Sequence, residues 1–215
     1  MVKAFLILFI LVSVADLINV CFELPYRYFT KSLIIPSLTS YLISTSPKTK
    51  GLYFFVIALF FAWLGDVLLL FSGANFFLLG LGSFLVMQIL YSFIFYKERK
   101  INSKKALITA FLLIIFCVSF NNYLWPFVQE IRVPVIVYSI AIALMTFTGI
   151  NRDRKLIGYQ YILLGVLLFV VSDSILAINS FGPGIWNGGF LVMLTYILAQ
   201  YFIVEGYARH LRSKK

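Results

Sequence analysis

Residues 51–72 read GLYFFVIALFFAWLGDVLLLFS, and residues 158–179 read GYQYILLGVLLFVVSDSILAIN. Each is long enough to cross the ~30 Å apolar core of a bilayer as a helix, at ~1.5 Å per residue. Neither shows the alternation that a barrel strand requires. The two stretches are also related. Gly51, Ala58, Gly65 and Ser72 recur every seven residues, as do Gly158, Gly165, Ser172 and Asn179, each 107 positions later. Asp66 and Asp173 keep the same offset, and Phe84-Leu85-Val86-Met87 returns as Phe190-Leu191-Val192-Met193 at an offset of 106. Heptad-spaced small residues let helix backbones approach closely in lipid.

Working outward, the chain has 215 residues, of which 62% are hydrophobic and 12% charged. A soluble domain carries about 25% charged residues, so lipid must be the solvent for this surface. In lipid only helices or closed barrels satisfy the backbone. Charge-to-charge segmentation predicts eight spans, at about 4–22, 32–46, 51–71, 75–96, 105–122, 132–150, 156–178 and 186–207. The second is short and contains Pro36. The first apolar run continues through Val20 without a small-residue cleavage site, so it is expected to be a span rather than a signal peptide. The expected fold is therefore all-α: one polytopic transmembrane domain over 1–215, with eight helices in two parallel four-helix repeats, about 1–103 and 104–215.

The basic residues predict orientation. Lys3, Lys48, Lys50, Lys97, Arg99, Lys100, Lys104, Lys105, Arg152, Arg154, Lys155, Arg209, Arg212, Lys214 and Lys215 fall on one side, leaving Arg27, Lys31 and Arg132 on the other. This 15-to-3 split places both termini in the cytoplasm of an integral membrane protein, with a bacterial inner membrane as the expected location. The net charge of +10 is thus a topology signal with some attraction for anionic lipid, and nucleic acid is not an expected partner. Cys21 and Cys117 lie far apart without CxxC spacing and read as packing residues. His210 falls in the basic tail.

Ionisable side chains inside spans usually face a bundle interior or a water-filled cavity. Asp66 and Asp173 lie in the outer third of their spans, and Asp16 slightly outside the midplane. The plain reading of each is a bond to a neighbouring helix or a pairing with Lys31 or Arg27. The duplication offers more for Asp66 and Asp173, because equivalent positions around a pseudo-two-fold axis can bring two carboxylates together. One carboxyl can then act as an acid and the other as a base, the equipment for hydrolysing an acid-labile ether. Deeper in the fourth and eighth spans, Gln88, Tyr91, Thr195, Tyr196 and Gln200 are candidates to contact a head group or hold the carboxylates. With no histidine inside a span, a His-ligated zinc site and a Ser–His–Asp triad are excluded, and no phosphate loop or dinucleotide fingerprint is present. No metal and no cofactor is expected.

Lys31 with Pro36, Gly65-Asp66-Val67-Leu68-Leu69, Phe84 through Tyr91, Ser172-Asp173-Ser174-Ile175-Leu176-Ala177, Thr195-Tyr196 and Ala199-Gln200 together resemble the lysoplasmalogenase family of membrane proteins, called YhhN-like in bacteria. The resemblance implies hydrolysis of the vinyl ether bond of a lysoplasmalogen, giving a fatty aldehyde and a glycerophospho-ethanolamine or -choline. It carries Asp66 and Asp173 over as catalytic; we take Asp173 as the acid and Asp66 as the base, the pseudo-symmetry leaving the reverse assignment open. Lys31, Asp16, Gln88, Tyr91, Tyr196 and Gln200 become candidate substrate contacts, the partner being a lysophospholipid drawn from the membrane. Many relatives carry a histidine where this chain has Gln88. The alternative from the residues alone is a proton-coupled transporter or lipid-handling protein without hydrolytic activity.

Overall fold

The computed structural model describes residues 2–100 and 102–214; Lys215, counted above with the basic tail, lies outside them. Each apolar run becomes a helix: α1 (Val2–Cys21), α2 (Arg27–Thr45), α3 (Lys50–Leu68), α4 (Ala74–Lys97), α5 (Ser103–Leu124), α6 (Arg132–Ile150), α7 (Tyr159–Phe181) and α8 (Gly188–Ser213), with a 3-10 turn (Gln129–Ile131) before α6. No strand occurs among the described residues, and the eight helices form a polytopic membrane protein. The largest boundary difference from the sequence reading is the end of α8, at 213 rather than 207.

Among the described residues seven helices are long and apolar enough to cross a membrane by themselves; α2 is the exception. Its low hydropathy comes from hydroxyls that the helix satisfies internally. Ser37, Thr39, Ser40 and Thr45 donate to the carbonyls of Ile34, Ile35, Pro36 and Tyr41 at 2.7–2.9 Å. Pro36 cannot donate to the carbonyl of Ser32, which would cost free energy in lipid. Trp63 of α3 repairs the gap, its Nε1 donating to that carbonyl at 3.0 Å. α2 also needs less apolar surface because α1, α3 and α8 cover it, burying Ile34, Ile35, Leu38 and Leu42.

Packing runs in parallel in the two halves. α1 lies on α2 and α5 on α6, α3 on α4 and α7 on α8, α2 against α3 and α6 against α7. Across the halves α2 meets α8 and α6 meets α4, the crossed pattern that a duplicated four-helix unit would give. The small-residue stripes make these contacts close. A Cβ on Gly65 would lie 2.8 Å from the Phe84 ring of α4. At the matching position of the second half, Ser172 Oγ donates to the Val192 carbonyl of α8 at 3.1 Å. Gly158, with φ +84°, lets the α6–α7 turn rest on the backbone of Gly206. α5 packs least, burying only Thr109 and Leu124 and leaving Leu107, Ile108, Phe111 and Leu112 facing lipid.

Gly165 tests this packing in the middle of a helix. A Cβ there would meet the Ile203 nitrogen at 2.8 Å and the Ala199 carbonyl at 2.9 Å, both backbone atoms that cannot turn aside. Gly165→Val should therefore lose about 1–3 kcal/mol through overpacking, read as a lower unfolding midpoint in detergent. Leu164→Val, one residue away on a face that is 43% exposed, should leave the midpoint nearly unchanged.

One end of the bundle gathers the basic loops. Arg99 and Arg152 form an antiparallel bridge, with Lys100 N donating to Asn151 O at 3.2 Å and Asp153 N to Glu98 O at 3.0 Å. α8 brings His210 to the same place, its Nε2 standing 2.7 Å from Glu98 Oε1. His210, in the basic tail of the sequence, lies inside the extension of α8 to Ser213 and is buried there, at 2% exposure.

Candidate functional site

Asp66 sits near the end of α3, 1% exposed. Its Oδ1 faces Lys31 Nζ at 3.8 Å, and its Oδ2 accepts a hydrogen bond of 2.7 Å from the Tyr196 hydroxyl of α8. Both charged side chains are almost wholly buried. Beside them lies a second charged pair. Asp16 of α1 accepts from the Thr30 hydroxyl at 2.7 Å and stands 4.0 Å from Arg27 Nε. Asn19 Nδ2 in turn donates to Thr30 Oγ1 at 3.1 Å. Two carboxylates and two cations thus form one balanced group at the junction of α1, α2 and α3, which is how buried charges survive in lipid.

Asp173 has a different setting. Its Oδ2 accepts from the Tyr138 hydroxyl of α6 at 2.6 Å and from Gln88 Nε2 of α4 at 3.2 Å. Among the described residues no cation pairs with it. Gln88 is fully buried and its Oε1 has no hydrogen-bond partner. Asp173 and Tyr138 line a narrow apolar cavity between α4, α5, α6 and α7, walled by Phe77, Phe116, Phe120, Ile142 and Phe181. The carboxyl is the polar end of that cavity.

The remaining candidates link the two settings. Tyr91 donates to Gln200 Oε1 at 3.1 Å, and Gln200 Nε2 reaches Met87 Sδ at 3.4 Å. Tyr91 lies one turn from Gln88 on α4, and Gln200 one turn from Tyr196 on α8. The polar residues of α4 and α8 therefore run from the Asp66 group to the Asp173 group through the bundle centre. The duplication had suggested two carboxylates meeting directly. Instead each has its own phenol, and among the described residues no hydrogen bond joins Asp66 to Asp173.

Tyr138 was missed in the sequence, although the repeat held its signal. Adding 107 to Lys31 gives Tyr138, and the neighbours align too: Ser32 with Ser139, Ile35 with Ile142, Thr39 with Thr146. The same register position thus offers an ammonium to Asp66 and a phenol to Asp173. Thr195, by contrast, bonds only backward along its own helix, to the Leu191 carbonyl at 2.7 Å and the Val192 carbonyl at 3.1 Å.

Among the described residues no group of three His, Cys, Asp or Glu is placed to hold a metal ion. Residues 26–207 match the family model described as the YhhN family. The chain belongs to the YhhN family. This is the family of lysoplasmalogenases, and the matched segment contains Lys31, Asp66, Gln88, Tyr91, Asp173, Tyr196 and Gln200. Asp16 precedes it. No curated protein and no solved structure matches the chain.

Proposed function

We propose that this YhhN-family chain is a membrane-embedded hydrolase of the lysoplasmalogenase type, acting on a lysophospholipid with a vinyl ether chain. The observation that supports it most is the contrast between the two aspartates: one beside a buried cation, the other at the end of an apolar cavity without one. A vinyl ether hydrolyses by proton transfer to its β-carbon, which leaves an oxocarbenium ion for water to trap. The vinyl ether end of the chain enters by way of this apolar cavity, and Asp173, which lines it, transfers the proton. Asp66, with Lys31 as counter-ion, supplies the negative charge and accepts the proton of the attacking water. The hemiacetal then collapses, its C–O bond breaking to leave a fatty aldehyde and a free glycerol hydroxyl. Gln88 and Tyr138 position Asp173, while Tyr196, Gln200 and Tyr91 position Asp66. Arg27 and Lys31 draw the phosphate toward the cluster, and Asp16 holds Arg27 in place. In this reading both termini and the basic end face the cytoplasm of a bacterial inner membrane.

Purified protein in detergent should release aldehyde from a lysoplasmalogen and none from the saturated alkyl-ether lysolipid, which has no alkene to protonate. In D2O, with the aldehyde trapped by reduction as it forms, one deuterium should appear on the carbon next to the former carbonyl. Aldehyde without that label would sink the proton-transfer mechanism. Absence of aldehyde, combined with proton-linked lipid movement in liposomes, would establish the carrier instead.

A further inference from the structure

At the opposite end of the bundle from Lys31 and Asp66, Lys100, Asn102, Lys105, Arg152, Asp153, Arg154 and Lys155 line an open pocket. Five of these residues are cations and one is a carboxylate. That carboxylate is occupied: Asp153 Oδ1 accepts from Lys155 N at 3.0 Å. The back wall is Arg152, 1% exposed. Its Nε and Nη2 are bound to Glu98, but its Nη1 is buried and has no hydrogen-bond partner. A buried guanidinium donor is seldom left unpaired, because the lost hydration is not otherwise recovered. Lys105 donates to the Ile150 carbonyl and to the Tyr159 hydroxyl, which leaves one of its three protons. α5 begins at the same place, with Asn102 as its cap accepting from Lys105 N at 3.1 Å, so the positive end of a 22-residue helix adds to the field.

We propose that this pocket binds the phosphate of an anionic phospholipid. Phosphate chemistry follows from the convergence of a guanidinium, ammonium groups and a helix N-terminus on one opening. The lipid source follows from what lies below it. α5 leaves this site with Leu107, Ile108, Phe111 and Leu112 exposed, a surface along which acyl chains lie once the head group is seated. A groove between Tyr96 of α4, Ala106 of α5 and Phe147 of α6 opens at the same end and offers a place for a chain. The bound lipid would tie α5, which otherwise leans mainly on α6, to the α6–α7 loop. This site is separate from the proposed catalytic cluster, so its test does not depend on hydrolysis.

The experiment measures binding and the thermal midpoint of the purified protein in a neutral detergent, titrated with phosphatidylglycerol, with phosphatidylcholine of the same chains, and with inorganic phosphate. Phosphatidylglycerol should raise the midpoint at concentrations where phosphatidylcholine does not. The combined variant Lys100→Ala, Arg154→Ala and Lys155→Ala changes only exposed side chains and should fold. Its affinity for phosphatidylglycerol should fall about 100-fold, at roughly five-fold per cation. Equal effects of the two lipids, or an unchanged affinity in the variant, would overturn the proposal. Stabilisation by inorganic phosphate at the same concentrations would overturn the lipid assignment and make the ligand a soluble anion.

Discussion

Asp173→Asn should reduce the rate of aldehyde release by about 10³-fold or more while leaving the protein folded and its affinity for the substrate within a few-fold. The amide keeps the size of the carboxyl and can still accept from Tyr138, which now donates at 2.6 Å. It cannot give a proton to carbon. General acid catalysis contributes typically 10²–10⁴-fold, and here proton transfer opens the reaction, so no later step can compensate. Stability should change little, because no counter-ion is stranded. Asp66→Asn gives the informative contrast. It also removes activity, but it leaves Lys31 as a buried cation without its partner at 3.8 Å, a loss of about 3–5 kcal/mol. Combining Asp66→Asn with Lys31→Met should recover the stability and not the rate. Turnover assays and unfolding midpoints on the four proteins check this. Wild-type rates in Asp173→Asn would exclude it as the proton donor. Recovery of turnover in the double variant would reduce Asp66 to an ion-pair partner.

Much of this site was legible before any coordinates because burying charge in lipid is expensive. A carboxylate in a long apolar run stands out, and the offset of 107 marks Asp66 and Asp173 as equivalent. The spans were legible for the same reason, and so were the contact faces of α3 and α7, since Gly, Ala and Ser at heptad spacing select the closest approach. The partners were less visible. Tyr196 reaches Asp66 across 130 residues and Gln88 reaches Asp173 across 85, and no local rule connects them. Tyr138 is one of 13 tyrosines and, unlike Tyr91 and Tyr196, lies outside the polar rows of the fourth and eighth spans. Only its register with Lys31 distinguishes it. Whether the carboxylates meet depends on helix rotations that periodicity does not determine. The burial of His210 was not legible, because a run of basic residues carries no sign that α8 continues past it.

Glu98→Gln should destabilise the protein by about 3–5 kcal/mol, although it lies outside the proposed active site. Glu98 follows the last turn of α4 and is 11% exposed, with Arg152 on one side and His210 on the other. Burial alone would push its carboxyl up, but His210 and Arg152 outweigh that and hold it below the usual glutamate range. A neutral amide would leave the Arg152 guanidinium buried without its counter-charge where the α4–α5 and α6–α7 loops meet. Glu98→Gln with Arg152→Met should restore much of the loss, since a neutral pair strands no charge. The pH dependence has a definite sign. A carboxyl lowered on folding stabilises fully above its unfolded value, about 4.3, and loses that contribution as pH falls through the lower folded value. The gap in unfolding midpoint between wild type and Glu98→Gln should therefore be present at neutral pH and close as the solution is made more acidic than about pH 4. A gap that widened in acid would mean that the carboxyl is not held ionised by its neighbours. The cluster would then be a set of packed side chains rather than an electrostatic clamp on the loops.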